Sequence, residues 1–329
     1  MSKGILSAIG NTPLVQLARV FPKARFKIYA KLEALNPGGS MKDRPALRIL
    51  TEGLASGEIS QDTVVIESSS GNMGVGLAQA CSYLGLKFVC VVDPKATGQN
   101  IRLIEAYGAE VDRVTEPDPV TGEFLQARLS RVRELMAATK HGFWPDQYSN
   151  LNNAQAHRET MREVVGALDG KLDILFCATS TCGTLRGCRE YVRDSGLPIR
   201  IVAVDAVGSV IFGGSASKRL VPGHGAAVRP ALYDAELADQ VVHVTDLECI
   251  TGCRLLVRRE AILAGGSSGG VIMALNRLAS DMQDGAVCAA ILPDRGERYL
   301  DTIYSDEWVG RHFGEVSYLW QEERKTRHA

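Results

Sequence analysis

No run of apolar residues in this chain approaches the roughly 18 that a membrane-spanning helix needs, and the N-terminus lacks the charged, apolar and small-residue pattern of a secretory signal. Charge of one sign is not in excess. The 37 Lys and Arg against 38 Asp and Glu leave a formal net charge of -1, which gives no electrostatic footing for nucleic acid or an anionic membrane surface. None of the 8 cysteines stands in a CxxC pair, so zinc-type spacing is missing. Cys249 and Cys253 can share a helix face, but two ligands do not make a metal site. The six histidines form no ligand cluster either, and no metal is expected. The glycines of 71–76 do not match GxGxxG, and no GK[ST] is present, so neither a dinucleotide fingerprint nor a nucleotide P-loop is indicated. Internal repeats and low-complexity tracts are absent.

What is present is a 329-residue chain, 45% hydrophobic and 23% charged, in the range of ordinary soluble globular proteins and long enough for two α/β domains. Most cysteines sit in apolar runs such as Phe88-Val89-Cys90-Val91-Val92, as reduced, buried thiols of a cytoplasmic protein do. Short apolar runs alternate with amphipathic ones. Strands are predicted at 64–66, 88–92, 109–114, 174–177, 199–204 and 286–292, and helices at 74–84, 99–107, 122–139, 184–193 and 269–279. Such alternation implies mostly parallel sheets covered on both faces, with ligands beyond the strand C-termini. Turn-rich breaks near 36–39 and 144–150 mark domain edges. Residues 208–230 read as a long irregular loop, and the sign-mixed stretch 322–328 as a frayed end.

Four stretches carry chemistry. Lys42, in Asn36-Pro37-Gly38-Gly39-Ser40-Met41-Lys42-Asp43-Arg44, stands between a strand-like and a helix-like run. Its amine there either faces a cofactor and forms a Schiff base with an aldehyde, or is a surface lysine at a helix start. Glu67-Ser68-Ser69-Ser70-Gly71-Asn72-Met73-Gly74 offers hydroxyls and free amides at a helix N-terminus, either an anion site for a substrate carboxylate or an ordinary cap. Thr179-Ser180-Thr181-Cys182-Gly183-Thr184 suits a phosphate dianion, or is a hydroxyl-rich turn. Gly265-Gly266-Ser267-Ser268-Gly269-Gly270 places a serine that can meet a heteroaromatic nitrogen, or is a flexible loop with a good cap.

Together these stretches resemble the fold-type II pyridoxal-phosphate enzymes of the cysteine synthase and cystathionine β-synthase group. Ile9-Gly10-Asn11-Thr12-Pro13-Leu14-Val15 is similar to the group's opening motif and Lys31-Leu32-Glu33 through Lys42-Asp43-Arg44 to its cofactor-lysine segment. Ser69 to Gly74 is similar to its substrate loop, Ser180 to Thr184 to its phosphate loop, and Gly266-Ser267 to its pyridine-nitrogen contact. The resemblance runs from about residue 4 to 305. It implies two three-layer αβα domains with mostly parallel sheets: a larger cofactor-binding one of residues 1–37 and 146–329, and a smaller, mobile one of 38–145. It also implies pyridoxal 5'-phosphate as cofactor and a homodimer, without the haem-binding extension or regulatory domain of cystathionine β-synthases.

By this resemblance Lys42 carries the cofactor and serves as general base. Asn72 contacts the ring hydroxyl, Ser267 the ring nitrogen, and Ser180, Thr181, Cys182, Gly183 and Thr184 the cofactor phosphate. Ser69, Ser70, Gly71 and Met73 form the substrate site. Arg128, with Tyr148 as hydrogen-bond donor, is the candidate for a phosphate leaving group; the competing account puts Arg128, Arg131 and Arg133 on a solvated helix face. Three departures bear on substrate. Met73 replaces the threonine usual in cysteine synthases, Ser180-Thr181-Cys182-Gly183-Thr184 replaces GTGGT, and Leu292 to Thr302 differs in detail. In these respects the chain is similar to a siderophore-pathway branch that joins O-phospho-L-serine to the α-amine of L-glutamate, feeding 2,3-diaminopropionate synthesis. The alternatives are a cysteine synthase using O-acetylserine or O-phosphoserine with sulfide, and a non-catalytic binding partner.

Overall fold

The computed structural model describes residues 4–94, 96–120, 122 and 124–321; the stretch 322–328 lies outside them. In chain order the elements are β1 (Leu14–Gln16), β2 (Lys27–Leu32), α1 (Asp43–Ser56), β3 (Val64–Ser68), α2 (Asn72–Leu84), β4 (Lys87–Val92), α3 (Gly98–Ala106) and β5 (Glu110–Arg113). Then come α4 (Phe124–Ala138), β6 (Gly142–Phe143), α5 (Leu151–Ala167), β7 (Ile174–Ala178), α6 (Gly183–Asp194) and β8 (Arg200–Ala206). The chain closes with β9 (Gln240–Val244), α7 (Asp246–Glu260), α8 (Gly266–Leu278), β10 (Val287–Leu292) and α9 (Asp306–Phe313).

The strands form two sheets, ordered β1-β2-β10-β7-β8-β9 and β5-β4-β3-β6. Every pairing is parallel except β1 with β2. The period-2 alternation of a strand sends successive side chains to opposite faces, and the six-stranded sheet shows it. Phe176, Val202 and Ala290 pack with Ile250 of α7 and Ile272 of α8. Their neighbours Leu175, Ile201 and Ala289 pack on the other face with Met161 of α5 and Leu185 of α6. In the four-stranded sheet Val65 and Phe88 face Ile49 of α1 and Leu77 of α2, while Ile66 and Val91 face Val132 of α4. Each sheet is thus the middle of three layers.

Three side chains cross the expected division. Leu6 and Ile9 pack with the core of the smaller sheet and Met41 in that of the larger. The irregular reading of 208–230 holds; neither helix nor strand occurs there. All eight cysteines are buried free thiols. Among the described residues no helix is long and apolar enough to cross a membrane.

Helices α7 and α8 meet backbone to backbone. A Cβ on Gly269 would lie 1.9 Å from the Cys249 carbonyl oxygen, and one on Gly252 2.1 Å from that of Gly269. Neither neighbour is a flexible side chain that can move aside. Gly269→Ala is therefore expected to destabilise the fold by about 2–3 kcal/mol, read as a lower urea midpoint at unchanged slope; an unshifted midpoint contradicts the packing.

Candidate active site

The C-terminal ends of the parallel strands of both sheets open on one polar cavity of about 300 Å3, as parallel sheets arrange ligand crevices. From the smaller sheet come Ser69 to Met73, Asn100 of α3 and Arg128 of α4; from the larger come Ser180 to Cys182, Thr184 and Ser267. Lys42 and Tyr148 stand in the same wall. The structure thus gathers every residue singled out in the sequence except Gly183, which lies just behind the wall in the first turn of α6.

Lys42 ends the turn that opens α1, its N–H donating to Ser40 Oγ at 3.1 Å. The turn is closed by Asp43, whose Oδ2 accepts from the Gly38 N–H. Burial lowers the Lys42 amine from its ordinary 10.5 to about 8, with Cys177, Asp294 and Cys182 acting weakly the other way. A buried amine poised near neutrality is a nucleophile, which a solvated surface lysine is not.

The substrate-type loop is built by its own polar groups. Ser69 Oγ accepts from the Gly74 N–H at 2.9 Å, and Asn100 Nδ2 donates to the Ser70 carbonyl at 3.1 Å. Asn72 Nδ2 donates to Asp294 Oδ2 at 2.8 Å, and its carbonyl accepts from Arg298. Tyr299 donates to the same Asp294 oxygen at 2.5 Å. Burial holds Asp294 above the usual carboxylate range.

In the third loop, Thr179 leaves the set of hydroxyls available for a phosphate. It donates to the buried Asp205 carboxylate at 3.0 Å and to Val204. Cys182 adopts a left-handed conformation, φ 63, at the head of α6. A Cβ at Gly183 would meet Asn153 Oδ1 at 2.3 Å, so glycine is what lets the helix N-terminus approach α5.

Arg128 is not on a solvated face. It lines the cavity, and its Nε pairs with Asp93 at 3.0 Å. Arg131, half-exposed, pairs with Asp112 and Glu134. Tyr148, half-buried, shares the wall with Ser180 and Arg128, and desolvation of its hydroxyl raises its pKa.

Sequence reasoning missed Asp294, Arg298, Tyr299, Asn100 and Gln147 as parts of the wall. The polar turn directly after β10 was the available signal for the first three, since it sits at a strand C-terminus. Asn100 and Gln147 carried none.

A family model described as pyridoxal-phosphate dependent enzyme matches residues 5–294. The chain belongs to this family. The family's cofactor is pyridoxal phosphate, and the chain shares the mixed α/β, parallel-dominated fold of its fold type II. A relative in Ralstonia nicotianae named N-(2-amino-2-carboxyethyl)-L-glutamate synthase is 45% identical over 94% of this chain and 92% of its own length. The O-acetylserine-dependent cystathionine β-synthase of Helicobacter pylori superposes with a TM-score of 0.86 at 29% identity, over 93% of this chain and 99% of that one. A hydrogen sulfide-producing enzyme of Fusobacterium nucleatum gives 0.84 at 33% identity, over 91% and 100%. The cavity fits the family's cofactor: a partly neutral buried amine, a helix N-terminus with hydroxyls where a Cβ has no room, and the buried Ser267 at the start of α8 share one wall.

Proposed function

We propose that the chain catalyses β-replacement on O-phospho-L-serine with the α-amine of L-glutamate, giving N-(2-amino-2-carboxyethyl)-L-glutamate and phosphate for diaminopropionate-containing metabolites such as siderophores. Arg128 carries this reading: a guanidinium in the wall that Lys42 also lines, where a departing phosphate needs positive charge. The name and 45% identity of the Ralstonia nicotianae relative support it.

Bound in this cavity, pyridoxal phosphate supplies an aldehyde for Lys42 and an electron sink for the substrate α-carbon. Asn72 holds the ring hydroxyl, Ser267 the ring nitrogen, and the amides and hydroxyls of 180–184 the phosphate. Lys42 takes the α-proton. Ser69, Ser70 and Gly71 grip the substrate carboxylate beside Met73. Arg128, with Tyr148 donating, neutralises the departing phosphate. The smaller domain, residues 38–145, closes on the larger and excludes water. The enzyme works as a cytoplasmic homodimer, so it sediments at about twice 35.5 kDa.

The test supplies phosphoserine or acetylserine with glutamate or sulfide and identifies products by mass. Product from phosphoserine and glutamate, with release of phosphate, is the expected result. Turnover of acetylserine with sulfide alone transfers the chain to the cysteine synthases. Arg128→Ala is expected to raise the apparent KM for phosphoserine about 10- to 100-fold, the loss of one charge-assisted pair. An unchanged affinity removes Arg128 from the site.

A further inference from the structure

We infer that Arg219 is the specificity residue for the second substrate, receiving the side-chain carboxylate of the acidic amino acid whose α-amine attacks. This rests on the reading under Proposed function.

The placement follows from sheet topology. Strands β7 and β8 are parallel neighbours, with Ala178 opposite Val204, so their C-terminal ends open on the same edge, the one that holds the cavity. The chain after β8 is irregular but pinned. The Val210 N–H donates to Ala226 at 2.9 Å and the Gly225 N–H to the Thr179 carbonyl at 2.8 Å. The Leu220 and Val221 N–H groups donate to the Asp246 carboxylate at 2.9 and 3.0 Å. Pro222, Gly223 and Gly225 of this segment line the cavity. Arg219 packs behind them: a Cβ on Gly225 would lie 2.6 Å from Arg219 Nη1.

The guanidinium is unbalanced. Arg219 is half-buried, and its Nη1 is enclosed without a hydrogen-bond partner. Among the described residues no carboxylate stands within ion-pairing distance of it, whereas Arg128 has Asp93. A desolvated, unpaired cation is costly, and an anionic ligand offsets that cost. Arg128 and Arg219 both exert their charge on Tyr148, one from the helix of the smaller sheet and one from the loop of the larger. The reaction brings two anionic substituents to this rim, the phosphate of the first substrate and the γ-carboxylate of the second. Arg128 answers the first; Arg298, also in the wall, is engaged by Asn72 and the Gly38 carbonyl, which leaves Arg219 for the second.

Steady-state kinetics of the holoenzyme with phosphoserine and either glutamate or glutamine test this. The wild type is expected to favour glutamate over glutamine in kcat/KM by about 30-fold or more, the worth of a charge-assisted hydrogen bond. Arg219→Gln is expected to raise the KM for glutamate by a similar factor and to bring the two amines within about threefold of each other, while the KM for phosphoserine moves less than about threefold. Arg219→Lys keeps part of the preference. Equal use of glutamate and glutamine by the wild type overturns the inference even if the variant does not fold, and so does an Arg219→Gln enzyme with the parental preference. If the wild type makes no product from glutamate, the proposed function itself fails and this inference with it.

Discussion

Lys42→Ala is expected to lower turnover by about two to four orders of magnitude, the range lost with a general base alone, and to leave a protein that no longer holds pyridoxal phosphate covalently. Borohydride treatment then fixes the cofactor to the peptide bearing Lys42 in the parent and to no peptide in the variant. The expectation rests on the environment of the amine. Desolvation brings it to about 8, so at pH 7.5 roughly a quarter of it is neutral, against about a thousandth for an unperturbed lysine. The neutral form is the nucleophile. Uptake of cofactor by the stripped protein therefore accelerates about tenfold per pH unit well below 8 and levels off above it. A variant retaining a tenth of parental turnover, or an uptake rate that still climbs tenfold per unit between pH 9 and 10, refutes the assignment.

The second large effect is on stability. Arg44 is 4% exposed and grips two carboxylates. Its Nε and Nη2 donate to Glu33 at 2.7 Å each, and its Nη1 and Nη2 to Glu163 at 2.7 Å each. Lys31 Nζ donates to Glu163 and to the Thr12 carbonyl, both at 2.5 Å. Burial pushes Glu163 up, but Arg44 and Lys31 outweigh it and hold its carboxyl at about 2. That carboxylate's contribution is thus complete above its ordinary 4.5 and is lost as pH falls toward 2. Arg44→Ala strands Glu33, which is fully buried, and is expected to cost about 3–5 kcal/mol, a large share of the 5–15 kcal/mol typical of a domain. Pairing it with Glu33→Gln recovers part of the loss. A single variant whose urea midpoint moves by less than about 1 kcal/mol in stability shows the network to be unimportant. Because Arg44 is two residues from Lys42, the same network holds the turn that carries the amine.

Local chemistry was legible. The elements around 64–114, 174–204 and 266–292 alternate short strands with amphipathic helices, and one to three residues separate their expected bounds from those observed. The loops at 69–74 and 180–184 and the turn at Lys42 declare themselves through hydroxyls and glycines at strand-to-helix junctions, which are properties of contiguous residues. Helix α5 left no such trace, because its buried face includes Asn153, His157 and Thr160, polar residues that break the apolar stripe. Strand β1 is too short, at three residues, to show alternation, and its antiparallel pairing is decided by the neighbouring β2.

The sequence alone therefore determined the fold class, the turn that carries Lys42 and the glycine- and hydroxyl-rich loops that line the cavity with it. Tertiary structure decided which groups those loops meet: Asn72 with Asp294, 222 residues away, Arg44 with Glu163, 119 away, Arg128 with Asp93, and Arg219 behind Gly225. Periodicity and capping are set within a few residues of chain, whereas the partner of a buried polar group is set by the order in which strands assemble into sheets, and that order brings together segments with no local sign of one another.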